Sequence, residues 1–191
     1  MNSGKIAGIV VRYRDGDEET TRIYALSART ERDLREKWEK ISYLGGSPPV
    51  WDIPYTWTHG RKLEGWLKER GCPLDSLGPF ASGDFEPAEV RRKDDGSTVE
   101  KYYRYGKLHR ENGPAFIERN ADGSTYDGYY RDGKHHREEG PARVWRRADG
   151  WTMEEYWRDG EQTNPLGAIG GLTIRPPAPE APKEPGAPSP Q

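Results

Sequence analysis

The chain has 191 residues, a hydrophobic fraction of 32% and 30 basic against 32 acidic residues, giving a net charge of -2. Ordinary domains are about 45–50% apolar, so a large core is excluded, and the charge balance excludes a global basic field that would draw in phosphates. Seven Trp and eleven Tyr still argue for a fold, because aromatics bury the most area per residue.

A single cysteine, Cys72, excludes an internal disulfide and a Cys-rich zinc site, and points to a reducing cytosol. The opening "MNSGKIAGIVVRYRDG" lacks the apolar core of a signal peptide. No stretch approaches the roughly 20 apolar residues of a membrane helix. The expectation is a cytoplasmic protein with no membrane insertion.

Residues 8–26, "GIVVRYRDGDEETTRIYAL", read as a hairpin with Asp15–Gly16 at its turn. "TERDLREKWEKISYLGG" reads as a helix: Thr30 as N-cap with Asp33 three residues on, Leu34, Trp38 and Ile41 on one face, and Gly45–Gly46 as its end. "SPPVWDIPYTWTHG" reads as a Pro- and Trp-rich loop offering Trp51, Tyr55 and Trp57 for binding. "RKLEGWLKERG" reads as a short helix stopped at Gly71, with Leu63, Trp66 and Leu67 on one face.

Beyond residue 86 the sequence repeats. Gly96, Gly123 and Gly150 each follow an Asp and lie 27 residues apart, as do Gly106, Gly133 and Gly160 and the pairs Tyr102–Tyr103, Tyr129–Tyr130 and Tyr156–Trp157. Three copies without insertions run from about Pro87 to Gly167. Asp-Gly between alternating segments predicts a hairpin in each copy, and "DGK" a second turn. Alternation puts Val99, Tyr126 and Met153 on an inward face with Tyr103, Tyr130 and Trp157, and assigns Val90, Ile117 and Val144 to it as well. The outward face carries Glu100, Asp127 and Glu154 beside Tyr102, Tyr129, Tyr156, Arg104, Arg131 and Arg158. The segment from Pro176, "PPAPEAPKEPGAPSPQ", predicts an extended tail with polyproline II character.

Four histidines raise the question of chemistry. His109 and His136 share a repeat column, each followed by an arginine, Arg110 and Arg137, whereas the third copy has Thr163 and Asn164 there. Adjacent His135 and His136 point to opposite faces of an extended segment and cannot easily grip one ion. A catalytic site would not need a repeated His, whereas a structural turn would. The four residues therefore read as structural, the His-Arg pair hydrogen-bonding the return segment of its own copy. His59 lies in the N-terminal loop. Cys72 has no nucleophile signature around it and reads as buried and structural. Glu138 and Glu139 read as exposed acid. No catalytic, metal or cofactor site is expected.

The phrases "DGSTVEKYYRYGKLHRENGPA" and "DGSTYDGYYRDGKHHREEGPA" resemble variant MORN-type hairpin repeats over about residues 87–161, and the His-Arg-x-x-Gly-Pro-Ala ending is similar to a version in phage and mobile-element proteins. The period departs from the shorter, better-known unit. The resemblance implies an elongated hairpin sheet with a binding or scaffolding role toward protein or lipid, and no catalysis.

The expected fold class is α+β: a small ββαα domain over 1–85, an antiparallel β-meander of three 27-residue hairpin repeats over 87–167, and a disordered Pro-rich tail over 168–191. The expected function is non-enzymatic protein interaction through Tyr102, Arg104, Tyr129, Arg131, Tyr156 and Arg158, narrowed to a phage-encoded stoichiometric inhibitor of a host defence complex in the host cytoplasm. Aromatics interleaved with Arg also suit single-stranded nucleic acid, but acids on the same face favour a protein partner. A homodimer through the apolar face is a further option. The rival from another class is a hydrolase depending on His109 or His136.

Overall fold

The computed structural model describes residues 8–37, 42–44, 50–54, 57–75, 87–164 and 171–177. Among them the protein is mostly β-strand, with two helices and one large sheet built from hairpins. No helix among the described residues is long and apolar enough to cross a membrane.

The chain opens with β1 (Gly8–Asp15) and β2 (Glu18–Ala25), paired antiparallel about a turn in which Gly16 has φ +59°. Helix α1 (Ala28–Lys37), strands β3 (Ser42–Leu44) and β4 (Val50–Pro54), and helix α2 (Trp57–Glu69) follow. The order is thus ββαββα, and three expectations are corrected. Ser27 caps α1: its Oγ accepts the Thr30 N–H at 3.2 Å, which puts Thr30 one turn inside. The helix does not extend to Gly45–Gly46, because Ser42–Leu44 is a strand; Trp38 and Ile41 lie outside the described residues. The supposed loop holds β4, which pairs parallel with β1, and the first turn of α2. Val50 to Ile53 is a short strand-forming run, and Pro54 is tolerated because it ends the strand. Helix α2 stops as read: Gly71 has φ +67° and the Cys72 N–H donates back to Leu67 O at 3.0 Å, a left-handed cap.

Next come β5 (Glu89–Lys93) and β6 (Thr98–Lys101), then the short β7 (Tyr103–Arg104) and β8 (Lys107–Leu108). The same sequence of elements returns as β9 (Phe116–Arg119), β10 (Thr125–Gly128), β11 (Tyr130–Arg131) and β12 (Lys134–His135). It returns again as β13 (Arg143–Arg146), β14 (Thr152–Glu155), β15 (Trp157–Arg158) and β16 (Glu161–Gln162). Strand β17 (Leu172–Arg175) pairs with β14 and closes the sheet, so part of the stretch read as disordered tail is a strand. Its Leu-Thr-Ile alternation suits the edge of a pleated sheet.

Eleven strands form one sheet in the order β17-β14-β13-β10-β9-β6-β5-β2-β1-β4-β3. The N-terminal hairpin and the later hairpins are therefore hydrogen-bonded neighbours through β2 and β5. The short pairs β7–β8, β11–β12 and β15–β16 stand off this sheet as two-stranded ribbons. Their central turn residues both have positive φ: Tyr105 and Gly106, Asp132 and Gly133, Asp159 and Gly160. That is the signature of a type I′ turn, whose twist matches the flanking strands.

The register corrects the expected faces. Val90 pairs with Glu100, Glu100 with Ile117, Ile117 with Asp127, Asp127 with Val144, and Val144 with Glu154. Directly opposed residues share a face, so Val90, Ile117 and Val144 lie on the face of the acids, opposite Val99, Tyr126 and Met153, and Val90 and Val144 are buried there. Val99, Tyr126 and Met153 do share the inward face, with Trp145 and Ile174. The cause lies in the turns. Asp94–Gly96 and its counterparts hold three residues, with Gly96 N–H bonded to Lys93 O and Lys93 N–H to Ser97 O. A two-residue Asp-Gly turn would pair opposite parities; the extra residue shifts the register by one and turns the partner strand over.

The core sits at the N-terminal end of the sheet. Leu63, Trp66 and Leu67 of α2 and Leu34 of α1 pack with Ile9, Val11, Tyr13 and Tyr24. These strand residues share the inward face, so both helices cover one side of β1 and β2.

Candidate functional site

The recurring His-Arg phrase links one ribbon to the next. The buried His109 Nδ1 lies 3.1 Å from the Asp132 N–H and 3.0 Å from Asp132 Oδ1. His136 stands the same way to Asp159, at 3.1 Å from its N–H and 3.0 Å from Oδ1. Each Nδ1 thus faces both the backbone N–H and the carboxylate of the Asp in the next ribbon. In the second unit His136 Nε2 meets Glu138 Oε1 at 3.0 Å; in the first, Glu111 Oε1 is 3.8 Å from His109 Nε2. Arg104 bridges Glu111 and Asp132, and Arg131 bridges Glu138 and Asp159. Hydrogen bonds from Arg104 first, with the nearby His109 adding to them, hold the Asp132 carboxyl below the usual carboxylate range. Arg131 does the same for Asp159, and His136 followed by Arg131 for Glu138.

The expected role of this pair is thus half corrected. Arg110 and Arg137 do bond the return segment, donating to Pro114 O and Pro141 O at 3.3 and 3.1 Å, and they lie over the rings of Tyr102 and Tyr129. The histidines reach the following ribbon, and His136 also meets Glu138 of its own return segment. This explains the irregular ends of the array. Thr163 replaces the His where, among the described residues, no further ribbon follows. Tyr105 replaces the Asp where no His precedes; there the Gly106 N–H donates to Leu74 O at 3.1 Å, as Gly133 does to Leu108 O and Gly160 to His135 O. The segment after α2 therefore stands in for a preceding ribbon.

Between the first two ribbons lies a cleft of about 430 Å³, lined by His109, Tyr129, Arg131, His136 and Glu138 among others. Its imidazoles face the ribbon partners: each Nδ1 lies against a backbone N–H and a carboxylate oxygen of the following ribbon. This arrangement fastens one ribbon to the next.

A second cluster joins α2 and the N-terminal hairpin to the first of the later hairpins. Glu64 of α2 accepts from Tyr24 Oη at 2.8 Å, Tyr13 Oη at 3.1 Å and Arg22 Nη1 at 2.9 Å. Arg22 Nε also donates to Glu89 at 3.2 Å, and Glu89 receives Arg91 and Lys101. Burial pushes the Glu89 carboxyl up, but Arg22 and Lys101 outweigh it and hold it below its ordinary range. Burial pushes the Tyr13 and Tyr24 phenols up. Helix, N-terminal hairpin and β5 are thereby tied through buried charge.

The predicted binding residues fare differently. Tyr102 is 5% exposed beneath Arg110, and Tyr129 and Tyr156 are half-buried. Arg104 and Arg131 are half-exposed within the ribbon networks, and Arg158 donates to Glu138 O at 2.7 Å. Trp51 lies on β4 and Trp57 begins α2, while Tyr55 lies outside the described residues; His59 also belongs to α2. Cys72 is free and buried, and burial pushes its thiol up, in keeping with a structural role.

The outward face carries a feature the sequence reading passed over. Cross-strand register aligns Arg92, Thr98, Arg119, Thr125, Arg146, Thr152 and Arg175 in one row. The four arginines are exposed. Asp127 receives both Arg119 at 2.9 Å and Arg146 at 2.7 Å, and Glu154 receives Arg175. The same 27-residue spacing relates Arg92, Arg119 and Arg146, so the row was findable in the sequence once the register was right. Neither a protein-family model nor a curated protein matches the chain.

Proposed function

We propose that this is a non-enzymatic binding protein whose array of three 27-residue hairpin repeats, akin to MORN-type units, holds a flat, mixed-charge face toward a protein partner. The observation that carries this reading is the exposed Arg–Thr row. It sets guanidiniums on every second strand, about 9.6 Å apart at ordinary strand spacing, beside a row of carboxylates. Such alternation favours a partner with a complementary pattern over a uniform polyanion. The reactive groups of the repeat are meanwhile engaged in fastening one ribbon to the next. The narrower version, a phage-encoded inhibitor that occupies a host defence complex, rests on the likeness of the His-Arg-x-x-Gly-Pro-Ala ending.

Affinity capture from a bacterial lysate tests the reading. A protein retained by the wild type should be lost when Arg119→Glu and Arg146→Glu reverse the row. Capture of nothing, or equal capture by the reversed variant, contradicts it. Single-stranded nucleic acid is the second reading, favoured by the regular arginines; it requires binding that falls steeply with salt.

A further inference from the structure

The inward face is covered unevenly. Helices α1 and α2 lie over β1 and β2, whereas over the later hairpins a strip of apolar side chains is half-buried: Val99, Phe116, Tyr126, Trp145 and Met153, with Glu118 between Val99 and Tyr126, ending at Ile174, which is 59% exposed. The rings of Phe116 and Tyr126 lie 5.5 Å apart, and those of Tyr126 and Trp145 5.0 Å. Arg143 lies over Trp145, 4.4 Å from the ring centroid. Aromatics with Met and Arg form the composition of a docking surface.

We propose that the occupant of this strip is the chain's own C-terminal segment, residues 176–191, laid across the strands as a polyproline II helix. Three observations carry this. Prolines recur at every third position, Pro176, Pro179, Pro182, Pro185 and Pro188. A polyproline II helix has three residues per turn and rises about 3.1 Å per residue, so these prolines form one ridge with a tooth every ~9.3 Å. Equivalent positions of successive hairpins, such as Val99, Tyr126 and Met153, lie two strands apart, ~9.6 Å. The ridge and the strip therefore share a pitch, and Pro179, Pro182 and Pro185 can each meet one hairpin, at Met153, Tyr126 and Val99 in turn.

The segment also starts in the right place. It leaves the edge strand β17 one residue after Arg175, next to Ile174, and Pro177 packs on the β13–β14 turn where Gly150 leaves room: a Cβ there would meet the Pro177 Cβ at 2.6 Å. Fourteen further residues extend ~43 Å as polyproline II, ample for five strand spacings of ~24 Å. Aromatic faces take such helices at little entropic cost because the ligand is already stiff. This inference uses the face opposite the arginine row and stands independently of the proposed function.

The test is made on the full chain with a nitroxide at Gly186→Cys, which a polyproline II segment carries ~28 Å beyond Pro177, the buried Cys72 remaining unlabelled. Resonances of Val99, Phe116 and Tyr126 should lose more than half their intensity. They should recover on reduction of the nitroxide and in a tagged chain bearing Pro179→Gly, Pro182→Gly and Pro185→Gly. As an untagged check, the same three substitutions should shift the Trp145 indole resonance. Undiminished signals on the strip overturn the proposal, as does broadening confined to the arginine face. Broadening seen only in mixtures of tagged and isotope-labelled untagged chains also overturns it, because a second copy's tail is then the occupant.

Discussion

His135 lies between the rings of Tyr130 and Trp157, at 4.1 and 5.9 Å between centroids, while its neighbour His136 links two ribbons. Burial, aided by the Arg143 charge, lowers the proton affinity of His135. A histidine with a depressed folded pKa contributes stability that is full above the unfolded value of about 6.5 and is lost as pH falls through the folded one. Glu89, Asp132, Glu138 and Asp159 are held below the ordinary carboxylate range, so their contribution persists above about pH 4 and is lost below it. Urea unfolding across pH should show a mild decline starting near 6.5, abolished by His135→Phe, and a steeper one below about 4. A flat profile down to pH 3 would contradict these environments. That His135 and His136 point apart was legible from their adjacency in an extended segment. The partners Asp132 and Asp159 were not, because each contact spans 23 residues and two turns. Their trace was nonetheless written at the array's ends, where Tyr105 and Thr163 break the columns together.

At the level of elements, the ribbons depend on turns with two left-handed residues. Asp accepts that conformation, but Tyr105, at φ 52° and 80% exposed, bears a cost of roughly 1–2 kcal/mol for it. Tyr105→Asn should therefore raise stability by about 1 kcal/mol, read as a higher urea midpoint with an unchanged slope; a lower midpoint would mean that the ring makes contacts worth more than the strain. The hairpin character and the turn glycines were readable because Gly and Asp recur at fixed offsets. The facing of β5, β9 and β13 was not, since one added turn residue reverses it while leaving the sequence pattern intact. Strand β4 escaped notice because flanking prolines suggest a loop, and its pairing to β1 joins segments about 40 residues apart. The α1 cap was missed by three positions because Ser27 and Thr30 are both good caps and only Ser27 precedes the first helical turn.

For the whole molecule, one sheet runs from the N-terminal hairpin to β17, with a helical core at one end and a series of linked ribbons along the rest. Low apolar content is compatible with this because the ribbons are joined by hydrogen bonds and ion pairs, and buried charge around Glu64, Arg22 and Glu89 joins them to the core. The central claim is that the repeated histidines are connectors. Replacing both, His109→Ala with His136→Ala, leaves the Asp132 and Asp159 N–H groups without partners, each costing about 1–3 kcal/mol. Urea unfolding followed by circular dichroism and tryptophan fluorescence decides the matter. The account predicts a loss of about 2–6 kcal/mol and a first transition from the ribbons ahead of the N-terminal core; a variant that unfolds in one step at the wild-type midpoint would contradict it.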